Sequence, residues 1–349
     1  MVVIEKSDIL TIKLNRPQAI NALNYDMVST IKAALLAGHN DKNLKAVIID
    51  HASGRGFCAG GDIAMLKQSG AGDGHEARAF FNAEYQLNHL IANYPKPYIA
   101  IMDGITMGGG VGISVHGSFR IATENTIFAM PETGIGLLPD VGGGWFLPRL
   151  KGHIGTYLAL TGARLRAADC MESGVATHFV ASTNLPNLKA ALRSATDLDH
   201  ENISKILSEY HEPIAELDLL NPKNQELIAC HFRHETMQEI YTSLESDKNL
   251  WAGAQLALLK TKSPQTLVLA LEQLKRGAKV ASLAEDLAME YRLSTRVIAL
   301  PDFQEGVRAM IIDKDFEPKW HDKSIYDVDM KKINALFAPL MDYDEWVAG

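Results

Sequence analysis

The chain has 349 residues, with 34 Lys and Arg against 42 Asp and Glu, a net charge of −8, 47% hydrophobic and 22% charged residues, and mean hydropathy of −0.04. These values exclude a disordered, collagenous or coiled-coil protein and predict a globular one, either about two domains or one large domain with an extension. The acidic balance disfavours nucleic acid as a partner, and no apolar run approaches the ~18 residues of a membrane span.

Residues 1–14 alternate like a half-buried strand until Asn15-Arg16-Pro17 breaks the pattern, since proline cannot extend a ladder. Asp26 then precedes an amphipathic helix with Met27, Ile31, Ala34 and Leu35 on one face and Gly38 at its end. Ala46-Val47-Ile48-Ile49 reads as a strand buried on both faces, followed by the turn Ser53-Gly54-Arg55-Gly56-Phe57-Cys58-Ala59-Gly60-Gly61-Asp62. A second helix spans about 76–93. After it come a buried strand over 98–102, the turn Met107-Gly108-Gly109-Gly110, and short strands near 121–122 and 126–130. Strands alternating with helices predict an α/β fold with parallel crossovers. Residues 1–182 read as this core, 183–250 as a polar, helical connecting segment, and 251–349 as a C-terminal helical region. Cys58, Cys170 and Cys230 lie far apart, which suits a reducing compartment. The N-terminus has no basic and apolar leader pattern, so the cytoplasm is the expected location.

The two glycine-dense turns, at Gly60-Gly61 and Gly108-Gly109-Gly110, each follow a buried strand. Glycine lets backbone approach a ligand closely, and main-chain N–H groups at a helix start are free. Two such turns side by side would aim two N–H groups at one oxygen, an oxyanion hole; the alternative is a pair of tight turns. Glu132 and Asp140 sit eight residues apart in apolar, Gly-rich sequence, where burial separates carboxyl pKa values as acid–base chemistry requires; the alternative is a turn Glu and a capping Asp. Glu84 shares a helix face with Phe80, Leu87 and Ile91, so it needs either a ligand or a basic partner. Ser114, in Gly112-Ile113-Ser114-Val115-His116-Gly117, lacks the second glycine of a nucleophile elbow. Cys230-His231-x-x-His234-Glu235 has helical spacing but no second ligand pair, so no metal site is expected.

Asn15-Arg16-Pro17, Asn21-Ala22-Leu23-Asn24, Gly56-Phe57-Cys58-Ala59-Gly60-Gly61-Asp62, Gly108-Gly109-Gly110 and Pro131-Glu132 together resemble the crotonase (enoyl-CoA hydratase/isomerase) superfamily. The runs 107–117 and 128–144, with Met289-Glu290-Tyr291-Arg292, 302–309 and Asp313-Lys314-Asp315, resemble its branch that hydrolyses 3-hydroxyisobutyryl-CoA in valine breakdown. The resemblance implies a spiral of ββα units with a C-terminal helical region, an acyl-CoA substrate and no separate cofactor. It assigns the thioester oxygen to the N–H groups of Gly61 and Gly109, and the CoA moiety to Ala22, Leu23, Ala59, Gly61, Asp62 and Ile63. It makes Glu132 and Asp140 the catalytic carboxylates, with Glu84, Gly109, Glu132 and Asp140 contacting the substrate. It also implies a trimer or hexamer, unless the C-terminal region caps the site in a monomer. Hydratases of the superfamily carry a second Glu where this chain has Gly112, and a small residue where it has Asp140. The competing expectations are an enoyl-CoA hydratase or isomerase using Glu132 alone, and a non-catalytic or RNA-binding protein on the same fold.

Overall fold

Ser7-Asp8 interrupts the N-terminal alternation, so residues 1–14 form a hairpin and not one strand: β1 (Val2–Lys6) pairs antiparallel with β2 (Ile9–Leu14), Val2 opposite Leu14. The computed structural model describes residues 1–214, 216–341 and 344–349. It contains two compact units: Met1–Gly61, Gln86–Ala129 and Arg164–Asn221 form the first, and Asp62–Tyr85, Met130–Ala163 and Pro222–Gly349 the second. The units interleave along the chain, unlike the contiguous segments read from composition, because local polarity does not record which distant segments pack together.

In the first unit, β1, β2, β3 (Ala46–His51) and β4 (Tyr98–Met102) are followed in one six-stranded sheet by β6 (Phe119–Ala122) and β8 (His178–Phe179). Every pairing after the hairpin is parallel. β5 (Ile105–Met107) and β7 (Ile127–Ala129) pair in a second, parallel sheet. Thus β4 then β5, and β6 then β7, each place one strand in either sheet, which is the repeat of a ββ spiral. Ile9, Ile48, Ile99, Ile101 and Ile121 pack with Leu188 and Leu192 of the helix Leu185–Ser194 and with Ile203 and Leu207 of the helix His200–Tyr210. The first part of the polar 183–250 segment therefore completes this core, its apolar residues recurring at helical spacing.

The first helix is Tyr25–His39, capped by Asn24, whose side chain accepts from the Met27 N–H at 3.0 Å; the sequence placed that start at Asp26. The second unit is largely helical. Its helices include Ile63–Gly70, absent from the sequence reading, and Pro264–Gly277 and Leu283–Val297, each opened by a serine side-chain cap. Such a cap is worth about 1 kcal/mol. No helix among the described residues is long and apolar enough to cross a membrane.

Candidate active site

In the first unit, Asn21 organises the loop that follows β2. Its backbone adopts positive φ, its Oδ1 accepts from the Arg16 N–H at 2.8 Å, and its Nδ2 donates to the Gly56 carbonyl at 3.0 Å. Arg16 in turn donates to the Ala22 carbonyl at 3.0 Å. Ala22 and Leu23 are thereby laid along the glycine turn: the Leu23 N–H donates to the Gly60 carbonyl at 2.7 Å, and the Ala59 N–H to that of Ile20 at 2.9 Å.

The same turn runs beside β5. The Cys58 N–H donates to the Ile105 carbonyl, and the Met107 N–H donates back to that of Cys58, both at 2.9 Å. This brings the two glycine turns together. A Cβ on Gly60, whose φ is +121°, would lie 3.9 Å from the Gly109 nitrogen; one on Gly110 would lie 2.3 Å from the Cys58 carbonyl oxygen. The short helix Gly109–Gly112 begins there, so the Gly109 N–H has no carbonyl within its own helix. Among the described residues, neither the Gly61 nor the Gly109 N–H is taken up by a protein acceptor. The side-by-side turns read from the sequence are present, with two free donors. Ala22, Leu23, Ala59, Gly61 and Gly109 thus share the first unit. Asp62 and Ile63 open the helix Ile63–Gly70 of the second, where Asp62 caps the Met65 N–H at 3.3 Å.

The second unit gathers the three acids. Glu132 begins the 3-10 turn Glu132–Ile135, which is packed too tightly for side chains at its supports: a Cβ on Gly136 would meet the Asp302 carbonyl oxygen at 2.3 Å, and one on Gly306 the backbone of Ile135 at 2.5 Å. The Asp302 carboxylate is itself held by Ser263 Oγ at 2.5 Å and the His321 N–H at 2.7 Å. Glu132 is 5% exposed, and its Oε2 has no hydrogen-bond partner among the described residues. Burial, and then the charge of Asp140, hold its pKa well above the ordinary carboxyl range.

Glu84 lies on the buried face of the helix His75–Ala92 together with Phe80, as its spacing predicts. It is 2% exposed and makes no salt bridge among the described residues; its Oε1 has no partner. Burial, with Asp140 adding repulsion, pushes its pKa well up. Asp140 differs from both. Its Oδ2 accepts from the Tyr85 hydroxyl at 2.8 Å, which opposes the effect of burial and leaves its pKa at about 6. Of the three, Asp140 therefore carries charge most readily. Tyr85 and Ser294, whose Oγ lies 2.8 Å from the Tyr85 oxygen, were not singled out in the sequence. A Tyr next to a helix-face Glu was the available signal.

Other sequence features have local roles. Ser114 is buried and donates to the Gly110 carbonyl at 2.7 Å, closing the short helix. His231 lies within hydrogen-bond distance of Ser243 Oγ (2.8 Å) and Asp247 Oδ2 (3.1 Å), joining two helices. Among the described residues, no group of three His, Cys, Asp or Glu side chains is arranged to hold a metal ion.

A family model described as Enoyl-CoA hydratase/isomerase matches residues 9–337. The chain belongs to the enoyl-CoA hydratase/isomerase family. It is 46% identical over 336 residues to the mitochondrial 3-hydroxyisobutyryl-CoA hydrolase of Xenopus laevis, a match covering 95% of this chain and 87% of that protein. Among solved structures of the family, an enoyl-CoA hydratase from Rhodobacter sphaeroides 2.4.1 superposes with a TM-score of 0.90 at 39% identity, covering 99% of both chains. A carnitinyl-CoA dehydratase from Mycobacterium thermoresistibile gives 0.91 at 36%, covering 98% of this chain and 97% of that one. The crotonase-like fold inferred from motifs is therefore the fold of this chain, including its C-terminal helices.

Proposed function

We propose that this protein hydrolyses the thioester of 3-hydroxyisobutyryl-CoA to 3-hydroxyisobutyrate and free CoA, as a step of valine breakdown. The observation that carries the reading is the acid set: Glu132 and Asp140 buried in one unit, the charge of Asp140 helping to raise the Glu132 pKa, and Gly112 where a hydratase of the family has its second Glu. The hydrolase relatives at 42–46% identity support the same choice.

In this reaction the Gly61 and Gly109 N–H groups receive the negative charge that develops on the thioester oxygen; losing one such donor costs about 3 kcal/mol. Ala22, Leu23, Ala59, Asp62 and Ile63 serve the CoA moiety, and Glu84 lines the acyl pocket. Glu132 has its proton affinity raised by burial, the condition for a base effective near neutrality. It either takes the proton of water as the water oxygen adds to the carbonyl carbon, or attacks that carbon itself, giving an anhydride that water then opens. In both routes a C–O bond forms, the C–S bond breaks, and the departing thiolate takes a proton. Asp140 binds the 3-hydroxyl or handles that proton. Hydrolysis transfers no electrons between centres, so the chemistry asks for no cofactor.

The second reading is a hydratase or isomerase, favoured by the names of the two solved structures. Separate incubations with 3-hydroxyisobutyryl-CoA and crotonyl-CoA, in the presence of a thiol reagent, decide between them. Rapid thiol release from the first alone supports the hydrolase. Hydration of crotonyl-CoA without thiol release overturns it. For location, the dispersed cysteines fit a reducing compartment. The cytoplasm stays the proposed location, the relatives' names say mitochondrion, and subcellular fractionation separates the two.

A further inference from the structure

Asp140 lies in an unusual turn. The residue after it, Val141, is β-branched yet has φ of 54°, and Gly142 follows at 86°. For a β-branched residue this conformation is strained, and it persists only where surrounding structure fixes it. The fixing groups come from two helices. Glu290 Oε2 accepts from the Gly142 N–H at 2.7 Å, and its Oε1 from the Gly144 N–H at 2.8 Å. Gln273 Nε2 donates both to Glu290 Oε1 at 3.1 Å and to the Pro139 carbonyl at 2.7 Å. Three of these four hydrogen bonds end on backbone flanking Asp140, and the fourth joins the two side chains that make them.

The helix Leu283–Val297 also reaches the Tyr85 hydroxyl, the donor to the Asp140 side chain. Asp286, Glu290 and Ser294 recur every four residues on its fully buried face, and Ser294 meets the Tyr85 hydroxyl that donates to Asp140. Gly144 must be glycine here: a Cβ would lie 2.4 Å from Asp286 Oδ1. A buried carboxyl is a costly way to stabilise a fold when an apolar side chain fills the same space. Its two oxygens do, however, fit two main-chain N–H groups spaced two residues apart.

The geometry points to Glu290 as a positioning residue for Asp140: with Gln273 it clamps the 139–144 turn, while Ser294 holds the Tyr85 hydroxyl, and so it fixes where the Asp140 carboxyl stands. The inference rests on the proposed hydrolysis only for its kinetic readout.

In Glu290→Gln the amide keeps one acceptor oxygen and turns an NH2 toward the other N–H. Misplacing a reacting group by about 1 Å costs ~10²-fold, so kcat for CoA release falls by about that factor while KM stays within about twofold. Combined with Asp140→Asn, the change costs no more than Asp140→Asn alone. Gln273→Met, which retains Glu290, lowers kcat about tenfold with the same non-additivity, and carries the test if the first variant does not fold. Unchanged kcat, or an equal further loss in the Asp140→Asn background, overturns the inference. Crystals give a readout without turnover: in Glu290→Gln, or in Gln273→Met if that variant alone folds, Val141 leaves positive φ and Asp140 parts from Tyr85. An unmoved turn contradicts the clamp. A wild type that releases no CoA overturns the proposed reaction instead, and the crystals still decide the clamp.

Discussion

The Tyr85 hydroxyl donates to Asp140 Oδ2 at 2.8 Å, and it is the contact that sets Asp140 apart from the two neighbouring glutamic acids. A hydrogen bond to a charged group is worth about 1.5–3 kcal/mol, and one pKa unit is about 1.4 kcal/mol. Removing it leaves only a main-chain hydrogen bond to oppose burial. Tyr85→Phe is expected to raise the Asp140 pKa from about 6 by roughly one to two units. If the ionised carboxyl is required, the acid limb of kcat/KM moves to higher pH by the same amount, and the rate at pH 6 drops while the plateau at high pH is kept. A pH–rate profile with the limb unmoved contradicts this role for Tyr85.

Glu84, Glu132, Asp140, Asp286 and Glu290 all have pKa values raised chiefly by burial. In the unfolded chain they titrate near 4, so folding favours their protonated forms. Their contribution to stability is fully present below about pH 4 and is lost as pH rises through the raised values, which are about 6 for Asp140 and about 7 for Asp286. Thermal melts should therefore show Tm falling as pH rises from about 4 through about 7. Glu84→Gln removes one such group: its Tm at pH 8.5 should exceed that of the wild type, by roughly 2–4 °C for each kcal/mol gained, and should vary less with pH. A lower Tm in the variant at that pH would show that Glu84 is held by a contact that favours its charge.

Gly110 is where the two glycine turns of the first unit meet most closely. A methyl group there would lie 2.3 Å from the Cys58 carbonyl oxygen, so backbone must move. Gly110→Ala should cost about 1–3 kcal/mol of stability and reduce CoA release by ~10²-fold or more, because the Gly109 N–H shifts relative to the glycine turn that carries Gly61. Gly253→Ala provides the contrast. That glycine is exposed in the helix Leu250–Leu259 with open space around it, so the change should stabilise by up to about 1 kcal/mol and leave turnover intact. Equal activity in the two variants would refute the role of the paired turns.

What was legible in the sequence follows from range. Ala46–Ile49 of β3 and all of β4 are continuously apolar and buried, so the sequence pattern finds them. Glu84 stands out because a charge on an apolar stripe is visible within four turns of one helix. The glycine turns are visible because close backbone approach admits no other residue. Ile63–Gly70 is missed because it follows a glycine turn and carries only one buried large apolar residue, Leu66. The Ser7-Asp8 reversal lacks glycine and proline. Gln273, Glu290 and Ser294 carry no local signal, since their partners lie 134 to 209 residues away.

The most direct test of the central claim is CoA release from 3-hydroxyisobutyryl-CoA by the wild type and by Glu132→Gln, alongside CoA binding by both. Glu132→Gln keeps the shape of the side chain and removes its proton affinity. The account predicts rapid thiol release by the wild type, a fall of about 10³-fold or more in the variant, and equal CoA affinity. Turnover within a few fold of the wild type would contradict it.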